Sequence, residues 1–512
     1  MRNFVGLSVL LWICAIACGA TVNVEDYGAI ADSEAAGSGN ATAFNAAVAA
    51  AGDGGTVYIP PKLYYMSGSV YFGNDTKRYE NVTLDGYGAT MKRASSADPY
   101  QLISPGTGWV IQGLSIDQDR FSDVPNWRWG IKIAYGNAYG ICNITIKDCT
   151  IKNVPYDGIY VSDGVYGVTV ENCNIIDNHR QGLSYVDANG GVIKNCYFRG
   201  NKYQGLDIEP DGCNTYGFEV LGCTFDGAND LNHLNIWGAA YGSADINVVD
   251  CNFINGADLV GNRLVGEVSA SNNTFGSGSG VIFNSFNDNT EGTGRITLSE
   301  NSFADVTNDG INLITNGGFE SWTGVVPDSW SVVGGGTVEQ AQSGDVLAGD
   351  GALHIANVSG TTEVQQSVSA TAGAYYTYGY HIKRASGSLW MKVQFLNSSS
   401  SVVGTQKLLP LLTGEYEKVM GIAKAPAGTA SIRISVGRNT SFNAVVDSLF
   451  VFKGIGTDSD GAPVDCGMVR NMGLLFAGDL NEDCYINLED LALFANNWLK
   501  CNDPEDENCQ AN

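Results

Sequence analysis

From about residue 130 onward, apolar and polar positions alternate in short runs closed by Gly, Asn or Asp. Examples are Gly130-Ile131-Lys132-Ile133, Gly158-Ile159-Tyr160-Val161, Gly182-Leu183-Ser184-Tyr185, Gly205-Leu206-Asp207-Ile208 and His233-Leu234-Asn235-Ile236. Period-two alternation predicts strands with one face on a core. It turns Ile131, Ile159, Leu183, Leu206 and Leu234 inward, and Lys132, Tyr160, Ser184, Asp207 and Asn235 outward as one row. The next outward row holds Ser162, Val186, Glu209 and Trp237.

The runs belong to a longer repeat. Asp148-Cys149, Asn172-Cys173, Asn195-Cys196, Gly222-Cys223, Asp250-Cys251, Asn272-Asn273 and Glu300-Asn301 recur at spacings of 24, 23, 27, 28, 22 and 28 residues. Each repeat is too short to bury its own apolar face, whereas stacked coils bury one continuous core. Equivalent residues of successive coils then lie about 4.8 Å apart, which predicts internal ladders of Cys over Cys and Asn over Asn. The expected fold is all-β: a right-handed parallel β-helix over 21–314, a β-sandwich over 315–453, a linker over 454–472 and a small calcium module over 473–512.

The opening Val22-Asn23-Val24-Glu25-Asp26-Tyr27-Gly28-Ala29, the Ala-rich stretch Ala41 to Ala51, and Gly54-Gly55-Thr56-Val57-Tyr58-Ile59-Pro60-Pro61 resemble the start of the pectate-lyase-like superfamily, including its rhamnogalacturonase and epimerase-like branch and phage tailspikes. That resemblance implies a helix capping the solenoid, with Phe44 and Val48 on the covering face. It is specific for fold and leaves the reaction open among hydrolase, lyase, epimerase and noncatalytic adhesin. Thr315-Asn316-Gly317-Gly318-Phe319-Glu320 and Pro327-Asp328-Ser329-Trp330 resemble the start of jelly-roll carbohydrate-binding modules. In such modules a Glu near the start and a late Asp hold Ca²⁺, which implies Glu320 and Asp447 here.

Near the C-terminus, Asp479, Asn481, Asp483, Tyr485 (through its carbonyl), Asn487 and Asp490 have the spacing of an EF-hand-like Ca²⁺ loop, followed by an apolar helical face through Leu491 and Trp498. The segment resembles one dockerin type I repeat, with Cys484 where a Gly is usual. It implies a cohesin-like or cell-surface anchor as partner.

Chemistry concentrates on Leu206-Asp207-Ile208-Glu209. Carboxylates at i and i+2 on one strand have Cα atoms about 6.5–7 Å apart, which suits an acid and base acting on one glycosidic bond. Asp207 and Glu209 are the candidate pair, with Asp187 on the neighbouring coil as a third; spacing does not assign their roles. Lys132, Tyr160, Arg180, Lys202, His233, Asn235, Trp237 and Arg263 are candidate sugar-binding residues, Trp237 as a stacking platform. The polygalacturonase motifs Asn-Thr-Asp, Gly-His-Gly and Arg-Ile-Lys are absent. In the alternative lyase reading, Asp207, Glu209 and Asp187 bind Ca²⁺, yet Pro210-Asp211-Gly212 lacks the Lys of the calcium-lyase pattern.

Composition narrows the partners. A net charge of −26 over 512 residues argues against nucleic acid. From Arg120 to Lys202, however, nine basic residues face seven acids, which suggests a uronate or sulfated polysaccharide as substrate. Arg2, the apolar run to Ala17 and the small residues before Thr21 predict an export signal over 1–20, with acylation at Cys18 as the alternative route to the cell surface. No later run is long and apolar enough to span a membrane. Without Cys14 and Cys18, 11 of the 13 cysteines remain, so at least one thiol stays unpaired within a chain.

Overall fold

The computed structural model describes residues 19–455, except 75–76, 96–99, 104–105, 120–127, 135–141, 163, 210–214, 229–232, 238–242, 263, 265–266, 285, 288–289, 292–294, 300, 305–310, 348, 388 and 409–413. Three parallel sheets wind around one core. The first has 11 strands, from Thr21–Asn23 to Arg295–Ser299, and the second has 10, from Leu63–Met66 to Ser302–Phe303. The third runs from Val70–Tyr71 to Val281–Asn284 and then continues into a second domain.

In-register stacking supplies the cohesion. Ile151, Ile175, Phe198, Phe225, Phe253, Phe275 and Phe303 occupy one inward position on successive coils. The phenyl rings stack face to face at 4.7–5.0 Å. Cys149, Cys173, Cys196, Cys223 and Cys251 form the expected buried file of free thiols. The Cys196 thiol donates to the carbonyl of Val170 on the preceding coil, and Asn273 and Asn301 fill the same place further along, donating to Val248 and Ala270.

The residue before each Cys is outside, not internal. Asp148, Asn172, Asn195, Gly222, Asp250 and Asn272 all have φ of 52–59° at the corner between the first and second sheets. This left-handed conformation disfavours every residue type except Gly, Asn and Asp, which is why the repeat uses only those three there. Their side chains still form a ladder, with Asn172 donating to Asp148 at 3.1 Å, but on the exposed edge. Internal Asn ladders are Asn178 over Asn201, 2.8 Å apart, and, as expected from the repeat, Asn273 over Asn301, 2.9 Å apart.

A helix at Gly37–Ala51 covers the first coil, with Phe44 and Val48 buried and Phe44 edge-on to Tyr64. At the other end the strand Tyr416–Lys424 pairs antiparallel with Val281–Asn284, so the third sheet passes directly into the sandwich. The sandwich's other sheet has five antiparallel strands, Trp390–Leu396 and Ser431–Arg438 among them. Ile314, Trp330, Tyr376 and Tyr378 are part of its core. Trp390 instead lies under the guanidinium of Arg438 and the ammonium of Lys407. Among the described residues no helix is long and apolar enough to cross a membrane.

Candidate functional site

The third sheet aligns the predicted row as expected: Lys132 beside Tyr160, Tyr160 beside Ser184, Ser184 beside Asp207, and Asp207 beside Asn235. These side chains point away from the core formed by Leu206 and Ile208. The middle of the row is nevertheless covered, a departure from the expected open strip. Ser184 is 0% exposed and Asp207 and Asn235 are each 3% exposed, and Ser162 of the next row is buried as well.

The Gln181 side chain supplies part of the cover. It precedes the strand Leu183–Val186, and its amide donates to Asp207 Oδ2 at 2.5 Å while its carbonyl accepts from Ser184 Oγ at 2.8 Å. The Asn235 amide donates to Asp207 Oδ1 at 2.7 Å. One residue before Gln181, Arg180 forms a two-point ion pair with the fully buried Asp157 and donates to the Tyr156 hydroxyl at 2.8 Å. Asp157 also accepts from the Gln181 N–H at 3.1 Å, so one buried carboxylate orients both neighbours of the site. Burial pushes Asp157 upward, with the Arg180 guanidinium opposing it.

An aromatic group flanks this network. Trp129 stacks on Tyr160 at 4.6 Å, meets Tyr156 edge-on at 6.1 Å, and carries Lys132 Nζ 4.6 Å above its ring. Sequence reasoning selected Lys132, Tyr160 and Arg180 but missed Trp129, Tyr156, Asp157 and Gln181. The fragment Asp157-Gly158-Ile159 reads as a turn, and only its 23-residue offset from Arg180, one coil, signals the pair.

Asp207 has the strongest electrostatic signature of the centre. Burial raises its carboxyl from 3.8 to about 7; the Asn235 amide pulls it down, the charges of Glu209 and Asp157 push it up, and Arg180 lowers it. Glu209, two residues on, is half-buried at the strand's end. Asp187 occupies a left-handed turn (φ 54°) at the end of the neighbouring strand, its N–H donating to the Glu209 carbonyl at 3.1 Å. Trp237, half-buried, ends the next strand beside Asn262.

The other candidates disperse. Lys202 is exposed beside the Tyr203 ring. His233 accepts at Nδ1 from the Asp258 N–H at 2.8 Å at the seam with the sandwich, and desolvation lowers it to about 4. Arg263 and the loop from Asp479 to Asp490 lie outside the described residues. Glu320 accepts from the Asp350 N–H at 2.9 Å and the buried Asp447 from the Leu347 N–H at 3.0 Å, so each carboxylate is engaged by a backbone N–H. Among the described residues no three His, Cys, Asp or Glu side chains are grouped closely enough to hold a metal by themselves.

Four of the nine basic residues behind the anionic-substrate expectation are already engaged. Lys152, Arg180, Lys194 and Arg199 are ion-paired with Asp117, Asp157, Glu171 and Asp226, and they are distributed around all three sheets.

Residues 114–321 match a family model described as right handed beta helix region, in agreement with the stacked parallel sheets. The solenoid is a right-handed parallel β-helix. No curated protein matches the chain. Among solved structures the chain is similar to the enzymatically active domain of bacteriophage CBA120 tailspike protein 4, at 12% identity over 84% of this chain and 68% of that one, TM-score 0.40. A second is ORF18 of Geobacillus virus E2, at 13% identity over 79% of this chain and 76% of that one, TM-score 0.40. The xylan-binding CBM22-1 domain of Paenibacillus barcinonensis Xyn10C is similar at 14% identity, covering 27% of this chain and 91% of that one, TM-score 0.23.

Proposed function

We propose that the chain is an exported polysaccharide-cleaving enzyme, a glycoside hydrolase whose acid is Asp207. The observation that carries this reading is a carboxyl held near neutrality at a strand position that points away from the core, with a second carboxylate two residues along the same strand. A group that titrates near the working pH is suited to general acid catalysis. Asp207 donates its proton to the glycosidic oxygen as that bond breaks. Glu209, nearer the solvent, takes a proton from the water whose oxygen bonds to the anomeric carbon. Substrate hydroxyls replace the Gln181 amide on Asp207, while Asn235 keeps the carboxylate oriented after the proton leaves. Asp187 stands beside Glu209 as a further acceptor for sugar hydroxyls, with Trp237 as a stacking face.

The donor set on Asp207 supports the hydrolase over the calcium-dependent lyase. Both its oxygens accept from side-chain amides, which aim hydrogens where a cation would need lone pairs. The loop from Asp479 to Asp490 is proposed to hold Ca²⁺ in a surface-anchoring module, a role separate from the chemistry. The test is incubation with neutral, uronate and sulfated polysaccharides, with and without EDTA. New reducing ends without ultraviolet-absorbing unsaturated products, lost in Asp207→Asn and Glu209→Gln, are expected. Unsaturated products that EDTA abolishes would move the carboxylates to a lyase, and binding without turnover would leave an adhesin.

A further inference from the structure

The first sheet carries a groove of about 740 Å³ on its outer face, around the corner from Asp187. Its floor has a specific backbone cause. Asn143, Gly167, Gly190, Gly217 and Asp245 occupy one register position on five successive coils, and all five have positive φ, from 56° to 75°. The three central ones lack side chains, and a Cβ built on Gly190 or Gly217 would meet nothing closer than 3.8 Å. The file of glycines thus leaves an open channel along the solenoid axis, where each coil contributes the same backbone feature about every 4.8 Å.

The walls are polar and directional. Tyr166, 48% exposed, flanks the channel, and Asn143, Asn189 and Asn247 border it with amides. Among the described residues of the lining, Glu219 and Asp245 are the charged ones, both exposed, and no Lys or Arg joins them. A ring face, amides and carboxylates recognise sugar hydroxyls, and two carboxylates repel uronate or sulfate.

We propose that this groove is a second saccharide site, one that takes an uncharged linear oligosaccharide laid along the helix axis. It is a binding site only, on a different sheet from Asp207, and its existence does not depend on the hydrolase reading.

The test is calorimetric titration of the full chain carrying Asp207→Asn, so that turnover plays no part, with xylohexaose, cellohexaose, mannohexaose and an oligogalacturonate hexamer. Binding of at least one neutral hexamer is expected, weakened at least about tenfold by Tyr166→Ala. Gly190→Asn keeps the left-handed backbone, as Asn143 does in the same file, and places a side chain in the channel; it should weaken binding as much. The oligogalacturonate should bind only when Glu219→Gln and Asp245→Asn are introduced together. If no neutral hexamer binds, or if binding survives both Tyr166→Ala and Gly190→Asn in protein of unchanged circular dichroism, the groove is not a saccharide site.

Discussion

Replacing Tyr375 by Phe should destabilise the protein in a pH-dependent way, because the seam between solenoid and sandwich is closed over one buried acid. Asp258 accepts from the Tyr375 hydroxyl and from the Gly280 N–H at 2.8 Å. Lys424 Nζ lies 3.9 Å and His233 Nδ1 3.7 Å from its other oxygen. Burial raises the Asp258 carboxyl from 3.8 to about 6, while Lys424 and the Tyr375 hydroxyl pull it down. An acid whose folded pKa is raised favours the fold in its protonated form. Its contribution is complete below about pH 4 and is lost as pH rises through 6, a swing of about 3 kcal/mol.

Tyr375→Phe removes a donor to the ionised carboxylate. Above about pH 7, where Asp258 is charged, that loss should cost about 1.5–3 kcal/mol. Near about pH 4.5 the acid is mostly neutral, and the cost should fall to about 1 kcal/mol, that of an ordinary hydrogen bond. His233, lowered to about 4, remains mostly neutral across this window and does not reverse the trend. Urea unfolding of parent and variant at the two pH values, followed by tryptophan fluorescence, measures the difference; groups elsewhere cancel between the two proteins. Equal losses at both pH values would refute the assignment, as would a pH-dependent loss that persists when Asp258→Asn is present in both parent and variant.

Four further outcomes follow from the geometry. Turnover should decline as pH rises through about 7, where Asp207 loses its proton, and a pH–rate profile lacking that limb would remove it as the acid. Phe225→Ala, in the middle of the ring stack, should cost about 3–5 kcal/mol in thermal or chemical unfolding. Asn195→Val should cost about 1–2 kcal/mol and Asn195→Gly distinctly less, because the position requires a left-handed backbone; equal losses would contradict that cause. Cys149, Cys173, Cys196, Cys223 and Cys251 should react with a thiol reagent only on unfolding, so rapid labelling of any of them in native protein would contradict their burial.

The solenoid was legible because its physics repeats. Cys, Phe and the residue preceding each Cys recur for three separate reasons, namely thiol burial, ring stacking and left-handed corners, and all three are periodic at one coil. Leu206 inward and Asp207 outward follow from strand alternation alone. What covers Asp207 does not, since Gln181 reaches it from a preceding coil, 26 residues away. Arg180 and Asp157 look like a surface base and a turn acid until their one-coil offset is recognised as adjacency. Lys152 and Lys194 separate for the same reason: neighbours in sequence occupy different sheets, while neighbours in space are one coil apart.

The row that holds Asp207 supports the role proposed for that acid. Along the same register, Asn235 is followed by Val260 and then Ile282, so the position accepts apolar side chains two coils on. An apolar residue at 207 would need no donors, whereas the carboxyl engages Gln181 and Asn235 and is destabilising once ionised. With its pKa raised from 3.8 to about 7, that opposition to folding reaches about 4 kcal/mol above neutral pH. A buried ionisable group surrounded by two amides, a serine and an oriented arginine is a poor way to stabilise a solenoid that fills the same row with Val260 and Ile282 further along. It is a good way to hold a proton at neutral pH beside a second carboxylate. The local conflict between stability and burial therefore falls where the strand's outward face meets Glu209, which is where the proposed chemistry needs it.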